Sequence, residues 1–195
     1  MPINSSKNTA ERGCLCLIVG PSGVGKDSLI DGARAVLAGD PSFDFAVRDI
    51  NRPSQAGGEA HRPVTDSDFA ALEAAGRYAL SWTAHGLHYG IPIGYESALN
   101  QGVCIVANVS RTVIALARER YQPLVIIKIT APSDLLRQRL IARGREDQAD
   151  IEGRIQRAAA FEVSGTDVIE LSNDGPIERG INRLVEILTS VSKRG

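Results

Sequence analysis

The sequence is short of lysine, cysteine and long apolar runs, and each shortage removes a class of protein. No apolar stretch in the 195 residues approaches the ~20 needed to span a bilayer, so no membrane role is expected. Residues 1–12 are polar and lack the apolar centre of a secretory leader. They are expected to be a short disordered lead-in to a single domain over 13–195. The cysteines, Cys14, Cys16 and Cys104, are three in number and lack metal-ligand spacing, which argues against a disulfide framework or a zinc site. Each lies in a short apolar run, as buried reduced thiols do, and a cytoplasmic location follows as the default. His61, His85 and His88 are irregularly spaced and do not read as metal ligands. Lys+Arg 22 against Asp+Glu 23 leaves a net charge of −1, so a broadly basic face for nucleic acid is not expected. Only 4 of the 22 basic residues are Lys, and the other 18 are Arg, the residue suited to bidentate contacts with phosphate and carboxylate.

What is present is an alternation of short apolar runs and helical patterns. Residues 14–19 read as a buried strand and 26–37 as a helix. A second short strand is expected at 43–47. Residues 48–63, rich in Gly, Pro and polar side chains, read as a functional loop. Thr65 with Asp68 resembles a capping box opening a helix to about 75. A strand at 78–82, a turn-rich segment at 85–92 and a helix at 95–100 follow. Residues 103–107 and 124–130 are apolar enough for central parallel strands, with a helical stretch at 111–120 between them. Helices at 132–143 and 151–162, a last strand at 168–171 and a closing helix marked by Ile177, Ile181, Leu184, Val185 and Leu188 complete the chain. Strands alternating with helices predict an α/β domain with a central, mainly parallel sheet flanked by helices.

Gly20-Pro21-Ser22-Gly23-Val24-Gly25-Lys26 fits the first seven positions of the phosphate-loop (P-loop) pattern, between an expected strand and an expected helix. Glycines let the backbone wrap a phosphate, successive N–H groups point inward, and the helix N-terminus adds favourable partial charge. With 19 Gly and 4 Lys in the chain, roughly 0.04 such matches are expected by accident. The pattern places Ser or Thr after the lysine to ligate Mg²⁺, but here Asp27 stands there and Ser28 follows. A carboxylate is a good oxygen ligand for Mg²⁺, held directly or through water. Capping of the helix by Asp27 is the open alternative.

Nine of the 18 Arg fall in two windows, 48–62 and 137–157. Arg48, Arg52 and Arg62, on a Gly/Pro loop, suit an anionic small substrate, and the Tyr89 hydroxyl suits a phosphate or sugar oxygen. Arg143 and Arg145 lie between two helices, where a lid would close, and Arg154 on the next helix could reach the same site. Positive groups there would stabilise charge on a transferring phosphoryl group. Arg137, Arg139 and Arg157 read as solvated, with Glu146, Asp147, Asp150 and Glu152 nearby.

The loop at 20–26, Gly58-Glu59, His88-Tyr89-Gly90, Arg143-Gly-Arg-Glu146 and Ser172-Asn-Asp174 resemble the guanylate kinase superfamily in order and spacing, over about 13–190. The resemblance implies a P-loop NTPase fold, guanylate kinase-like, with an acceptor-binding lobe at about 40–95 and a lid near 143–153. Departures point to one branch. Guanylate kinases carry Ser-Thr where Asp27-Ser28 stand here, a second Arg where Ala56 stands, a guanine-binding Glu where Leu80-Ser-Trp82 stands, and an Asp where Asn108 stands. Lys26-Asp27-Ser28, Asn51-Arg-Pro53, Gly57-Gly-Glu59, residues 85–92 and Asn108-Val-Ser-Arg111 are similar to the ribose 1,5-bisphosphate phosphokinases of phosphonate catabolism.

That resemblance implies ATP, Mg²⁺ and a sugar phosphate as small-molecule partners, with 5-phosphoribosyl 1-diphosphate (PRPP) and ADP as products. Lys26 and the loop amides would take the ATP phosphates, and Arg143, Arg145 and Arg154 the transferring group. Arg48, Arg52, Glu59, Arg62 and Tyr89 would hold the acceptor. Asn108, Ser110 and Arg111 would meet the ribose hydroxyls or a second acceptor phosphate, and Asn173 would lie near the adenine. A nucleoside monophosphate kinase of altered base specificity and a catalytically dead kinase-like binding module are the competing readings. Oligomeric state is open, a homodimer being one option.

Overall fold

β1 (Leu15–Val19) consists of five apolar residues, all buried, as expected of a parallel strand covered on both faces. In the computed structural model, which describes residues 12–53, 60–144, 148–160 and 162–193, α1 (Lys26–Val36), β2 (Phe43–Phe45), β3 (Arg48–Ile50), β4 (His61–Pro63), α2 (Asp66–Ala74), β5 (Tyr78–Ala84), β6 (Leu87–Pro92) and α3 (Tyr95–Asn100) come next. They are followed by β7 (Cys104–Asn108), a 3₁₀ turn (Arg111–Val113) running into α4 (Ile114–Arg120), β8 (Leu124–Thr130), α5 (Ser133–Arg143), α6 (Gln148–Ala159), β9 (Val168–Ser172) and α7 (Ile177–Ser192).

The main sheet has the order β2-β7-β1-β8-β9, and every pairing in it is parallel. Alternation along β1 divides the core. Cys16 and Ile18 pack with Leu29 and Ala33 of α1 and Leu184 and Leu188 of α7. Leu15, Leu17 and Val19 pack on the other face with Ile114 and Ala117 of α4 and with Leu80, Trp82 and Ile91 of the second sheet. The three cysteines are free and buried, in line with the reading of the sequence. Among the described residues no helix is long and apolar enough to cross a membrane.

The second sheet, of order β4-β3-β6-β5, is where the structure departs from the sequence reading. The strand expected at 43–47 forms but is shorter. β2 ends at Phe45 and pairs with β7, and three residues later Arg48 begins β3, paired with β4 and β6 in the other sheet. The expected loop at 48–63 therefore contains two three-residue strands, too short to show a period. The turn-rich segment at 85–92 is the return arm of a hairpin with β5. Its turn residues His85 and Gly86 have φ of 53° and 73°, the pair of positive values that a tight two-residue hairpin turn requires. The cap at α2 forms as the sequence suggests: the Thr65 hydroxyl oxygen accepts the Asp68 N–H at 3.1 Å.

The outer face of this sheet holds a carboxylate. Asp49, fully buried, accepts two hydrogen bonds from Arg62 and one from the Tyr78 hydroxyl at 3.0 Å. The Tyr78 ring occupies the space where a side chain at Gly90 would stand, and a Cβ there would lie 2.5 Å from it. Gly90→Ala is therefore expected to cost about 1–3 kcal/mol by overpacking. A thermal melt should read this as a Tm lower by roughly 3–10 °C, and an unchanged Tm would mean that the ring moves aside freely.

Candidate active site

The turn between β1 and α1 is built by two left-handed glycines, Gly23 (φ 84°) and Gly25 (φ 94°). Left-handed residues at alternate positions curl the backbone into a concave nest of N–H groups, and α1 begins directly behind it at Lys26. Lys26 Nζ donates to the carbonyls of Gly20 at 2.7 Å and Pro21 at 3.0 Å, which holds its charge over the loop. The Val24 carbonyl accepts from Asn173 Nδ2 at 2.8 Å and from Arg139 NH1 at 3.3 Å.

An open cleft of about 360 Å³ runs from this loop to the second sheet. The Gly20, Pro21, Ser22, Gly23, Gly25, Lys26, Asp27 and Ser28 side of it is the loop itself. Arg48, Trp82 and Tyr89 face it from the second sheet, Asn108, Ser110 and Arg111 from the end of β7, and Arg154 from α6. Arg154 NH1 donates to the Ser22 hydroxyl at 2.8 Å. Arg111 NH1 donates to the Ala160 carbonyl at 3.1 Å. Ser110 caps the 3₁₀ turn, accepting the Thr112 N–H at 3.4 Å. The cleft thus collects, from separate parts of the chain, most of the residues singled out in the sequence.

Asp27 lies in the first turn of α1 and accepts from Asn108 Nδ2 at 2.8 Å through Oδ1. The N-cap of α1 is Gly25, with no side-chain capping bond. Among the described residues no group of three or more His, Cys, Asp or Glu could hold a metal. A single carboxylate beside a phosphate loop nevertheless fits Mg²⁺, which commonly takes one or two carboxylates and completes its shell with substrate phosphates and water.

Arg48 is 7% exposed. Its NH1 donates to the Asn108 carbonyl at 3.0 Å, and its guanidinium lies over the Trp82 ring at 5.9 Å and the Tyr89 ring at 5.4 Å. Burial pulls its pKa down to about 10, against the opposing pull of Asp27 and Tyr89. The rings of Trp82 and Tyr89 stack 5.3 Å apart and 4° from parallel.

The expectations for Arg62 and Arg139 are corrected. Arg62 is not in the cleft: the register sets Arg48 beside His61 and Asp49 beside Arg62, so alternation sends Arg62 to the outer face, where Asp49 holds it and raises its pKa. Asn173 is 2% exposed and sits beneath the loop as a brace, 2.6 Å from where a Cβ on Gly25 would stand. It is not on the cleft wall. Arg139, read as solvated, supports the loop through Val24, whereas Arg137 pairs with Glu152 as expected. Arg52 stands just after β3 with its Nε and NH2 buried and unpartnered among the described residues. Its carbonyl accepts from His61 Nε2 at 3.0 Å. Glu59 and Arg145 lie outside the described residues, as does the side chain of Arg143. Sequence reasoning missed Trp82, whose signal was its place opposite Tyr89 across the hairpin.

The parallel sheet with β1 at its centre, the phosphate loop and the second sheet across the cleft define a P-loop phosphotransferase of guanylate kinase-like fold. The guanylate kinase of Anaplasma phagocytophilum superposes with a TM-score of 0.65 at 19% identity, covering 92% of this chain and 86% of that one. No protein-family model matches the chain. Curated relatives resolve the branch. The ribose 1,5-bisphosphate phosphokinase PhnN of Brucella melitensis is 40% identical over 166 residues, 85% of this chain and 86% of the relative. This chain belongs to the ribose 1,5-bisphosphate phosphokinase PhnN family. It is also 42% identical over 185 residues to a bifunctional ribose 1,5-bisphosphokinase-thymidine phosphorylase of Cupriavidus pinatubonensis, but it spans only 31% of that protein's length.

The buried brace beneath the loop generates a prediction. Asn173→Ala leaves the Val24 carbonyl without its shorter bond, at a cost of about 1–3 kcal/mol for a buried group. The melt of the variant should fall accordingly, and an unchanged Tm would show that Arg139 alone satisfies that carbonyl.

Proposed function

We propose that the protein transfers the γ-phosphoryl group of ATP to ribose 1,5-bisphosphate, giving ADP and 5-phospho-α-D-ribose 1-diphosphate (PRPP). An oxygen of the 1-phosphate attacks the γ-phosphorus, the bond from that phosphorus to the β,γ-bridging oxygen breaks, and ADP leaves with the bond's electrons. The acceptor oxygen is already ionised at neutral pH, so no strong general base is required. The task is to hold two polyanions in line.

The observation that carries this reading is the cleft itself, to which separate elements bring cations: Lys26 at the loop, Arg154 from α6, Arg48 from the second sheet and Arg111 from the end of β7. Lys26 and the loop amides take the ATP phosphates. Arg154, joined by Arg143 and Arg145, takes the transferring group. Arg48, Arg52 and Tyr89 take the acceptor phosphates, and Asn108, Ser110 and Arg111 the ribose hydroxyls or the second phosphate. Residues 40–95 serve as the acceptor lobe and 143–153 as the lid. Asp27, oriented by Asn108, holds Mg²⁺ directly or through water, and the ion when bound neutralises phosphate charge. The names of the relatives support this substrate, and a cytoplasmic setting suits the pair.

The deciding assay offers ATP with ribose 1,5-bisphosphate, GMP and other monophosphates and follows ADP. Release with the bisphosphate is expected, and transfer to a nucleotide alone would overturn the proposal. Lys26→Met should lower kcat at least ~10²-fold, as removal of a preorganised charge-stabilising group does. Near-parental turnover would remove the lysine from the chemistry.

Arg48→Met separates function from stability. The folded pKa of Arg48, about 10, lies below that of the free side chain. The folded state therefore binds this proton less tightly than the unfolded chain. Keeping the buried guanidinium charged carries an electrostatic penalty at neutral pH, relieved only as pH rises past its folded pKa. Arg48→Met should melt no lower than the parent while raising the KM for the acceptor about tenfold. A lower Tm with unchanged KM would reverse the assignment.

A further inference from the structure

Three successive strands of the second sheet present one side chain each to the cleft: Arg48 from β3, Tyr89 from β6 and Trp82 from β5. The register makes Trp82 and Tyr89 direct cross-strand partners. Tyr89 in turn stands opposite Ile50, the residue two along from Arg48 on the same face. The row is therefore a consequence of pleating and lies on the inner face of the sheet.

Trp82 is 9% exposed and belongs to one buried cluster with Leu80 and Ile91, which restricts the movement of its ring. Its plane is within 4° of that of Tyr89. The Arg48 guanidinium lies over both rings while its NH1 donates to the Asn108 carbonyl. A buried guanidinium needs both its direction and its desolvation provided for. The carbonyl supplies direction at one end, and the ring faces supply a surface that favours the cation as water is removed. Trp is the best ring for this purpose.

We propose that Trp82 is a positioning residue for acceptor binding, acting through Arg48: with Tyr89 it forms the aromatic bed that aims the guanidinium at an acceptor phosphate. The inference rests on the function proposed above and deepens it. The bed acts through Arg48, whose partner Asn108 also bonds Asp27, and the larger effect is expected on the acceptor side.

The test compares Trp82→Leu, Trp82→Phe, Arg48→Met and the double variant Trp82→Leu/Arg48→Met. The readouts are separate KM values for ATP and ribose 1,5-bisphosphate and calorimetric binding of the bisphosphate alone. Trp82→Leu should raise the acceptor KM and Kd about tenfold and leave the ATP KM within about twofold. Trp82→Phe, which keeps a ring face, should recover most of that loss. In the Arg48→Met background Trp82→Leu should add nothing, because residues acting as a unit are non-additive.

Trp82 is the sole tryptophan of the chain, so its emission in the parent should also respond to the bisphosphate. A full further tenfold loss in the double variant, or an equal rise in the ATP KM, would overturn the proposal. If Trp82→Leu does not fold, Trp82→Met, which fills more of the ring's volume without a ring face, carries the same comparison, and additive losses again overturn it. Failure of the parent to bind ribose 1,5-bisphosphate at all would instead overturn the function proposed above.

Discussion

A loop that turns its N–H groups inward around a phosphate must satisfy the carbonyls it turns outward, and the rest of this structure is arranged around that obligation. Buried backbone carbonyls are rarely left unpaired. Here Gly20 and Pro21 are satisfied by the loop's own Lys26, and Val24 by Asn173 and Arg139. Asn173 follows β9 and Arg139 lies on α5, so the last strand and the fifth helix are tied to the first turn of the fold. Arg154 adds a contact from α6 through Ser22. The loop is the meeting point of elements far apart in sequence, and its shape depends on all of them.

That dependence explains what could be read from the sequence. The loop was legible because its glycines and lysine are local, with spacing dictated by backbone conformation. The main sheet was legible for a related reason: β1 and β7 are almost wholly buried and β8 largely so, and all three read as mainly apolar runs. The bracing role of Asn173 could not be read locally, because it is defined by what lies across from it, the Val24 carbonyl, 149 residues away along the chain. No period or motif in the 172–174 segment distinguishes a brace beneath the loop from a residue facing nucleotide.

The acceptor side was the least legible part, and the cause is the length of its strands. β3 and β4 have three residues each, too few for an alternation to emerge. Arg48 and Arg62 therefore looked equivalent on one Gly/Pro-rich stretch. Pairing decides between them: with Arg48 beside His61 and Asp49 beside Arg62, one arginine faces the cleft and the other a buried carboxylate. Shifting the register by one residue would exchange their faces. The Asp49, Arg62 and Tyr78 network helps hold the register in place, so the outer ion pair contributes to the site by keeping Arg48 inward.

The arginines make bonds of two kinds. Arg62, Arg118 and Arg137 donate to carboxylates of Asp49, Asp167 and Glu152. In the cleft, the bonds of Arg48, Arg111 and Arg154 include ones to neutral oxygens: the Asn108 carbonyl, the Ala160 carbonyl and the Ser22 hydroxyl. Lys26 also donates to two loop carbonyls. A bond to a neutral oxygen fixes the direction of a cation without cancelling its charge, whereas a carboxylate does both. For Arg48, the ring faces of Trp82 and Tyr89 extend that principle, giving the cation a preferred surface that carries no net charge. At position 108 the side-chain amide donates to Asp27 while the backbone carbonyl accepts from Arg48, which links the loop side of the cleft to the second sheet through one residue.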